Sequence, residues 1–472
     1  MTLNQEVSKS PNSLIAEFDG SGREPRPLQV EALAWIAERL GSKPLVIQAP
    51  TGVGKSGIAR AVQREFGGAI IVPQNVLLDQ YVTTYPDVNA LKGQECYPPD
   101  LVQYEANKQR VLDSEPTIFN PLSLYYARVA YDVNIVDEAH KLPEMLELLT
   151  SSELSYSRWM YPGTSKAALI PWFEGMSKSC AKAGGHYKGL GDTKSAVERF
   201  AKAATFKELA QQFTSNPTHY VTYEEQRKLT TKTERYLIIR PVTVPDKFYR
   251  MVRSTPNTIL TSATIPRTRA REILGTDNFH YLDLNSPIPK EQRPVLFRPS
   301  GLTSKSTAAD IAHWVKKQRS EFSGNTILHT TYQMGKQLHK YFPDALIHTP
   351  ETKAATLERF KRDGGLWIAA GCSEGIDLPN DECRLNLIPV LPFSSIGDVV
   401  TKARMSLPGG NANYVLNTMI ATVQSVGRST RGEQDHSITV IGDDRLARSI
   451  GTVKNQLPKS FLEAIKWNGQ LS

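Results

Sequence analysis

The chain has 472 residues, 40% hydrophobic and 22% charged, the balance of a cored globular protein of two to three domains, which excludes a disordered tail or a mini-protein. Lysine and arginine number 56 against 48 acidic residues, a formal net charge of +8, which suits a polyanionic partner without requiring one. Four cysteines, Cys96, Cys180, Cys372 and Cys383, stand far apart with no C-x-x-C pair, which argues against a disulfide framework or zinc site and for a reducing compartment.

The N-terminal M-T-L-N-Q-E-V-S-K-S-P-N-S lacks the basic start and apolar core of a signal peptide, and no apolar run approaches the roughly 18 residues that span a bilayer. The expectation is a cytoplasmic protein with no membrane contact. Short β-rich runs then alternate with helical patterns, the mark of parallel-sheet α/β domains. In the first stretch they are P-L-V-I-Q-A at Pro44, A-I-I-V-P at Ala69, V-N-I-V-D at Val133 and T-I-L-T-S-A-T at Thr258. In open α/β sheets ligands gather beyond the carboxyl ends of the strands, so the polar endings of these runs are where chemistry is expected.

The first ending is A-P-T-G-V-G-K-S, Ala49 to Ser56, followed by the helical G-I-A-R-A-V-Q-R-E-F. This is the setting of a phosphate-binding loop. Thr51, Gly52, Val53 and Gly54 would let backbone N–H groups curl round phosphate oxygens, Lys55 would reach the β and γ phosphates, and the Ser56 hydroxyl would hold Mg²⁺. At the third ending, Asp137 and Glu138 open D-E-A-H. Metal-assisted hydrolysis needs such a pair, with Asp137 on Mg²⁺ and Glu138 as the base for water. His140 fits a part in coupling hydrolysis to motion, since Mg²⁺ prefers oxygen ligands.

From Ser151 to Tyr236 the alternation stops and helical periodicity takes over, as in S-A-V-E-R-F-A-K-A-A-T-F-K-E-L-A-Q-Q-F from Ser195. This inserted segment holds 13 Lys/Arg against 8 Asp/Glu and twelve aromatic rings. Basic residues among aromatics can track a phosphate backbone and stack bases; the competing reading packs most of these rings into a small core of the insert's own. Lys178, Lys182 and Lys188, in a glycine-containing stretch, are the candidate strand contacts. After the Thr258 run, S-P-I-P-K-E-Q-R-P from Ser286 reads as a linker, and the strand rhythm resumes at Asn325, Gly365, Leu385 and Ser437. Q-S-V-G-R-S-T-R then places Gln424, Arg428 and Arg431 at the end of a helical run. Arginines at i and i+3 share a helical face and could act as arginine fingers on a transferring phosphoryl group.

These three motifs, in this order on two α/β units, resemble superfamily 2 helicases, and more narrowly the XPD/DinG-like group. R-P-L-Q at Arg26 to Gln29, V-P-Q-N-V-L-L-D-Q at Val72, S-A-T at Ser262, N-S-P-I at Asn285, C-S-E-G-I-D at Cys372, P-F-S-S-I-G-D at Pro392 and G-D-D-R at Gly442 also fit that group. The resemblance implies two RecA-like domains with ATP in the cleft, Arg26 and Gln29 on the nucleotide side, and Glu374, Gly375 and Asp377 coupling nucleotide state to grip on DNA. It also implies 5′→3′ travel on single-stranded DNA. One departure stands out: the group holds an iron–sulfur cluster on four cysteines between the phosphate loop and D-E-A-H, and here that interval contains Cys96 alone. One thiolate cannot hold a cluster, so none is expected.

The expected architecture is therefore α/β: a RecA-like domain over 1–150, a helical, basic and aromatic arch-like insertion over 151–236, completion of the first domain over 237–290, and a second RecA-like domain over 291–472. The expected function is an ATP- and Mg²⁺-dependent DNA helicase or translocase acting on single-stranded or tailed DNA, with any replication or repair partner unidentified. Gln74, Asn75, Thr264, Thr330 and Tyr332 are the strand contacts expected on the domains themselves. The alternatives are an RNA helicase, a duplex-remodelling translocase, or an ATP-gated nucleic-acid-binding scaffold.

Overall fold

A computed structural model describes residues 14–470 apart from 16–17, 19–21, 74, 92–100, 114–116, 122–123, 125–130, 231, 245, 256, 372–375, 377, 431 and 433. Gln74, Cys96, Cys372, Glu374, Gly375, Asp377 and Arg431 therefore lie outside the described residues.

The chain divides into two compact units. The larger comprises residues 1–142, 249–394 and 411–472 and contains two all-parallel sheets. In chain order the first sheet is made of β1 (Leu45–Gln48), β2 (Ala69–Ile71), β3 (Asn89–Leu91), β4 (Thr117–Phe119), β5 (Val133–Val136), β9 (Asn257–Ser262) and β10 (His280–Asp283). They lie in the spatial order β10-β1-β9-β5-β2-β4-β3. β1, β2, β4 and β5 are buried along their whole length, as strands are when helices cover both faces of a parallel sheet. β9 pairs with both β1 and β5, so the endings of the three runs singled out by their polar residues emerge side by side at one edge.

The second sheet is made of β11 (Val295–Leu302), β12 (Thr326–Thr330), β13 (Leu346–Ile347), β14 (Leu366–Ala370), β15 (Leu385–Ile388), β16 (Ile438–Asp443) and β17 (Ile465–Lys466). Its spatial order is β13-β14-β12-β15-β16-β11-β17. The Pro-rich stretch from Ser286 lies between β10 and β11, which belong to different sheets.

The smaller unit comprises residues 143–248 and 395–410. It is not purely helical, as its periodicity had implied. Two long helices, Lys166–Gly189 and Thr193–Ser215, accompany an antiparallel sheet of β6 (Ser152–Ser155), β7 (Tyr220–Lys228) and β8 (Thr233–Pro241) in the order β6-β8-β7. β7 escapes a reading by pattern because it has little apolar alternation: beyond Tyr220 its residues are half-buried or exposed and mostly polar. β8 runs across residue 236, and the unit also takes in 395–410, where Arg404 Nε donates to the Val242 carbonyl (2.9 Å) and its guanidinium pairs with Glu147 (2.5 Å).

Candidate active site

The phosphate loop begins where β1 ends, and the helix Lys55–Phe66 starts at Gly54, which has φ 90°. Gly52 has φ 88°. Only glycine takes this left-handed conformation without strain, and turns of this kind can present N–H groups to an anion. A Cβ at Gly54 would also collide with Gln29 Nε2 and stand 2.6 Å from Arg26 Nη2. Those two side chains grip the loop itself: Arg26 donates to the Val53 carbonyl (2.9 Å) and Gln29 to the Gly54 carbonyl (3.3 Å), while the Arg26 N–H donates to Gln29 Oε1 (2.8 Å).

Asp137 follows β5 and is buried, accepting from the Tyr81 hydroxyl (2.9 Å), from Thr261 Oγ1 (2.9 Å) and from the Glu138 N–H (2.9 Å). Burial and the neighbouring Glu138 raise its carboxyl above the usual range, against the pull of Lys55. Glu138 has the left-handed φ of 49°, a conformation that costs a non-glycine residue about 1 kcal/mol or more. Its carboxylate meets Lys55 Nζ at 3.2 Å. Burial pushes the Glu138 carboxyl up, but Lys55 and His140 outweigh it and hold the group well below the ordinary range.

His140 sits in the 3₁₀ turn Ala139–Lys141. Its Nδ1 lies 2.7 Å from Ser262 Oγ and 3.3 Å from Glu138 Oε2, and its Nε2 lies 2.6 Å from Gln424 Nε2. An amide nitrogen can only donate, so Nε2 accepts and Nδ1 carries the proton toward Ser262 and Glu138. Gln424 also donates to Thr264 Oγ1 (3.2 Å). One amide on the helix Gly410–Val426 thus binds both the D-E-A-H and the S-A-T segments.

That helix ends at Val426, so Arg428 is in the following turn and not on a helical face as its spacing with Arg431 had suggested. The turn is pinned differently: Arg428 Nη1 donates to the Ile376 carbonyl (3.3 Å), and the Arg428 carbonyl accepts from the Leu378 N–H (3.1 Å). Gly427 faces the phosphate loop, where an added Cβ would stand 3.1 Å from Thr51 Oγ1.

The expected strand contacts separate. Thr264 is buried with its hydroxyl engaged by Gln424, which removes it from the surface a strand would touch. Asn75 begins the helix Asn75–Thr84 and accepts from Asn120 Nδ2 (3.3 Å). Thr330 ends β12, and the exposed Tyr332 ring stands edge-on to His348 at 5.6 Å. In the smaller unit Lys178, Lys182 and Lys188 are exposed on the helix Lys166–Gly189. Tyr161, Phe173, Phe206, Phe213 and Tyr220 form its core with Leu169 and Leu237, and Trp159 and Trp172 pack against them. Core packing therefore accounts for most of the aromatic density, leaving Tyr156 and Phe200 exposed.

Two further residues belong to the site, and a third braces the end of the strand that leads into it. Tyr81 donates to Asp137 and lies near the Ser56 hydroxyl. Thr261 holds Asp137, and the buried Gln48 links Asp283 (3.0 Å) to the Ile265 N–H (3.1 Å). No local pattern marks them, because the partner of each is remote in sequence. Asp137 bonds the Tyr81 phenol and Ser56 lies near it, an all-oxygen pair of the kind Mg²⁺ prefers. Among the described residues no cluster of three or more His, Cys, Asp or Glu side chains stands ready for a metal ion, and no helix is long and apolar enough to cross a membrane.

Residues 314–464 match the helicase C-terminal domain family, and residues 23–159 match the family described as type III restriction enzyme, res subunit. The chain is 28% identical over 232 residues to the ATP-dependent DNA helicase YoaA of Escherichia coli, covering 44% of this chain and 36% of that protein. It is 28% identical over 248 residues to YoaA of Haemophilus influenzae, covering 48% and 39%. It thus spans little more than a third of those relatives' length. In fold it resembles XPD in its apo form (TM-score 0.58, 14% identity, 87% of this chain and 95% of that one). It also resembles Xpd4 of S. tokodaii (TM-score 0.56, 14% identity, 94% and 100%).

Proposed function

We propose that this chain, which groups by sequence and fold with the XPD/DinG-like superfamily 2 helicases, is an ATP- and Mg²⁺-dependent motor that moves 5′→3′ on single-stranded DNA and separates tailed duplexes. The observation that carries this reading is the unbroken polar path Lys55–Glu138–His140–Gln424. It joins the phosphate loop, through the acidic pair, to a helix of the second sheet.

Lys55 is held by Glu138 and must leave it to reach the β and γ phosphates, which frees the carboxylate to take the proton of an attacking water. Ser56 and Asp137 would hold Mg²⁺, which when bound neutralises charge on the phosphate oxygens. Arg428, with Arg431, completes the charge on the transferring group from the second sheet, while Thr51, Gly52, Val53 and Gly54 cradle the phosphates. Arg26 and Gln29 keep that cradle in shape. Any change at Glu138 reaches Gln424 through His140, and this is the route by which hydrolysis moves one sheet's elements against the other's. Glu374, Gly375 and Asp377 extend that coupling toward the strand. Gln74, Asn75, Thr330 and Tyr332 are its contacts on the larger unit and Lys178, Lys182 and Lys188 on the smaller. The cofactors are ATP and Mg²⁺ without an iron–sulfur cluster, since the interval before D-E-A-H offers Cys96 alone.

The test is strand displacement with 5′-tailed and 3′-tailed DNA and RNA duplexes, with and without ATP. Displacement of 5′-tailed DNA that requires ATP is expected. Equal displacement of RNA would favour the RNA helicase, turnover without displacement the duplex-remodelling translocase, and nucleotide binding without turnover the scaffold.

A further inference from the structure

A buried tyrosine hydroxyl must lose its water, and it is tolerated only where partners replace that water. Tyr81 is 2% exposed, and its ring packs at 5.8 Å against Tyr85, a contact that phenylalanine would make equally well. What phenylalanine lacks is the hydroxyl. That group donates to Asp137 Oδ2 at 2.9 Å and lies near the Ser56 hydroxyl, so it neighbours the two oxygens assigned above to Mg²⁺. The helix that carries it, Asn75–Thr84, opens with Asn75, one of the proposed strand contacts. Six residues separate the two, roughly 9 Å along a helix axis. A single rigid element therefore has a strand contact at one end and a hydrogen bond to the metal pair near the other.

We propose that Tyr81 is a positioning residue that transmits strand binding at the start of its helix to the Ser56–Asp137 pair, so that single-stranded DNA and Mg²⁺-nucleotide strengthen each other's binding. The inference rests on the strand-coupled reading above. A small shift of the helix alters which way the phenol pulls the Asp137 carboxylate and how near it stands to the Ser56 hydroxyl. Thr261 Oγ1, which bonds the other Asp137 oxygen at 2.9 Å, sits on β9 and does not move with that helix.

The experiment measures binding of a fluorescent ADP to the full chain as Mg²⁺ is titrated, with and without an oligo-dT strand. In the parent, DNA should lower the Mg²⁺ concentration at half-binding by about fivefold or more, the scale of ordinary coupling between sites. In Tyr81→Phe that shift should disappear, while in Thr261→Val it should persist. A full shift in a folded Tyr81→Phe protein, or its equal loss in Thr261→Val, overturns the inference and leaves the function intact; a parent with no shift overturns the strand-coupled reading as well. Hydrogen exchange on the parent serves if Tyr81→Phe does not fold. Oligo-dT without nucleotide should protect residues 75–84 and 55–58 together, and protection of 75–84 alone overturns the proposal.

Discussion

In the first sheet, the endings of β1, β9 and β5 lead to Lys55, Ser262 and Asp137–Glu138, whose polar groups are bonded to one another across three strands. In the second sheet Asp443, which ends β16, is engaged by structural partners, accepting from the Leu391 N–H (2.8 Å) and from the Arg445 side chain at 2.7 and 2.9 Å. Among the described residues of the second sheet's side, the helix Gly410–Val426 and its turn bring Gln424 to His140 and Gly427 to the phosphate loop. The difference teaches where binding and turnover separate. On the proposed function, groups of the first sheet define the nucleotide's ground state, and groups of the second act by approaching it.

The largest effects should therefore fall on the first sheet. Lys55→Ala should abolish ATP turnover, because it removes the charge that faces the phosphates. Glu138→Gln should keep nucleotide binding and lose roughly 10²-fold or more in kcat, since only the base is lost. Steady-state ATPase rates and a nucleotide titration separate the two, and normal turnover in Glu138→Gln would remove this residue as the base.

On the second sheet, Arg428→Ala should lower kcat by roughly 10²-fold while KM moves little, as for a contact made mainly in the transition state. Arg428→Lys should not rescue, because the planar fork is lost. An effect on KM alone would make the arginine a ground-state ligand and erase the contrast between the sheets.

How much of this could be read from sequence follows from what each feature depends on. The strand runs at Pro44, Ala69, Val133 and Thr258, and the loop and acidic pair that follow them, are local signals: apolar runs, glycines and charges at short spacing. β3, β4 and β10 carry too few apolar residues to stand out, and β13 and β17 are only two residues long. Their pairing is decided by remote partners. The site divides in the same way. Lys55, Asp137 and Glu138 are legible because phosphate and metal chemistry prescribes their spacing, whereas Tyr81, Thr261 and Gln48 act through partners at sequence separations of 56, 124 and 235. Thr264 read as a strand contact because strand ends face ligands; the side chain that covers it, Gln424, lies 160 residues away.

A smaller effect tests approach itself. Gly427→Ala places a methyl group 3.1 Å from Thr51 Oγ1, a contact tight enough to oppose the turn's approach to the phosphate loop. If Gly427 matters because the turn must close on the phosphate loop, kcat should fall roughly fivefold with Tm unchanged. Gly432→Ala, where an added Cβ meets nothing within 4 Å, should leave kcat as it was. A fall in Tm without a change in kcat would assign Gly427 to folding and not to closure.

The smallest effects belong to the smaller unit, whose lysines are proposed to meet phosphates and whose rings mostly serve its core. At about 100° per residue, Lys178 and Lys182 lie about 40° apart around their helix axis, whereas Lys188 is rotated about 80° from Lys178 in the other direction. Two lysines thus share a strip along which a backbone could run, and the third does not. Each lysine that no longer neutralises a phosphate of a single strand should reduce the salt slope of log K by about 0.7. Lys178→Ala and Lys182→Ala should each weaken oligo-dT binding a few-fold at moderate salt and together lower the slope by about 1.4, with Lys188→Ala adding less. ATP turnover measured without DNA should not change, because these side chains lie far in sequence from the phosphate loop and the acidic pair. Fluorescence anisotropy across a salt series, with a thermal melt for each variant, checks this. An unaltered slope in the folded double variant would take this helix out of the strand's path, and an equal contribution from Lys188 would mean that the strand wraps round the helix instead of running along it.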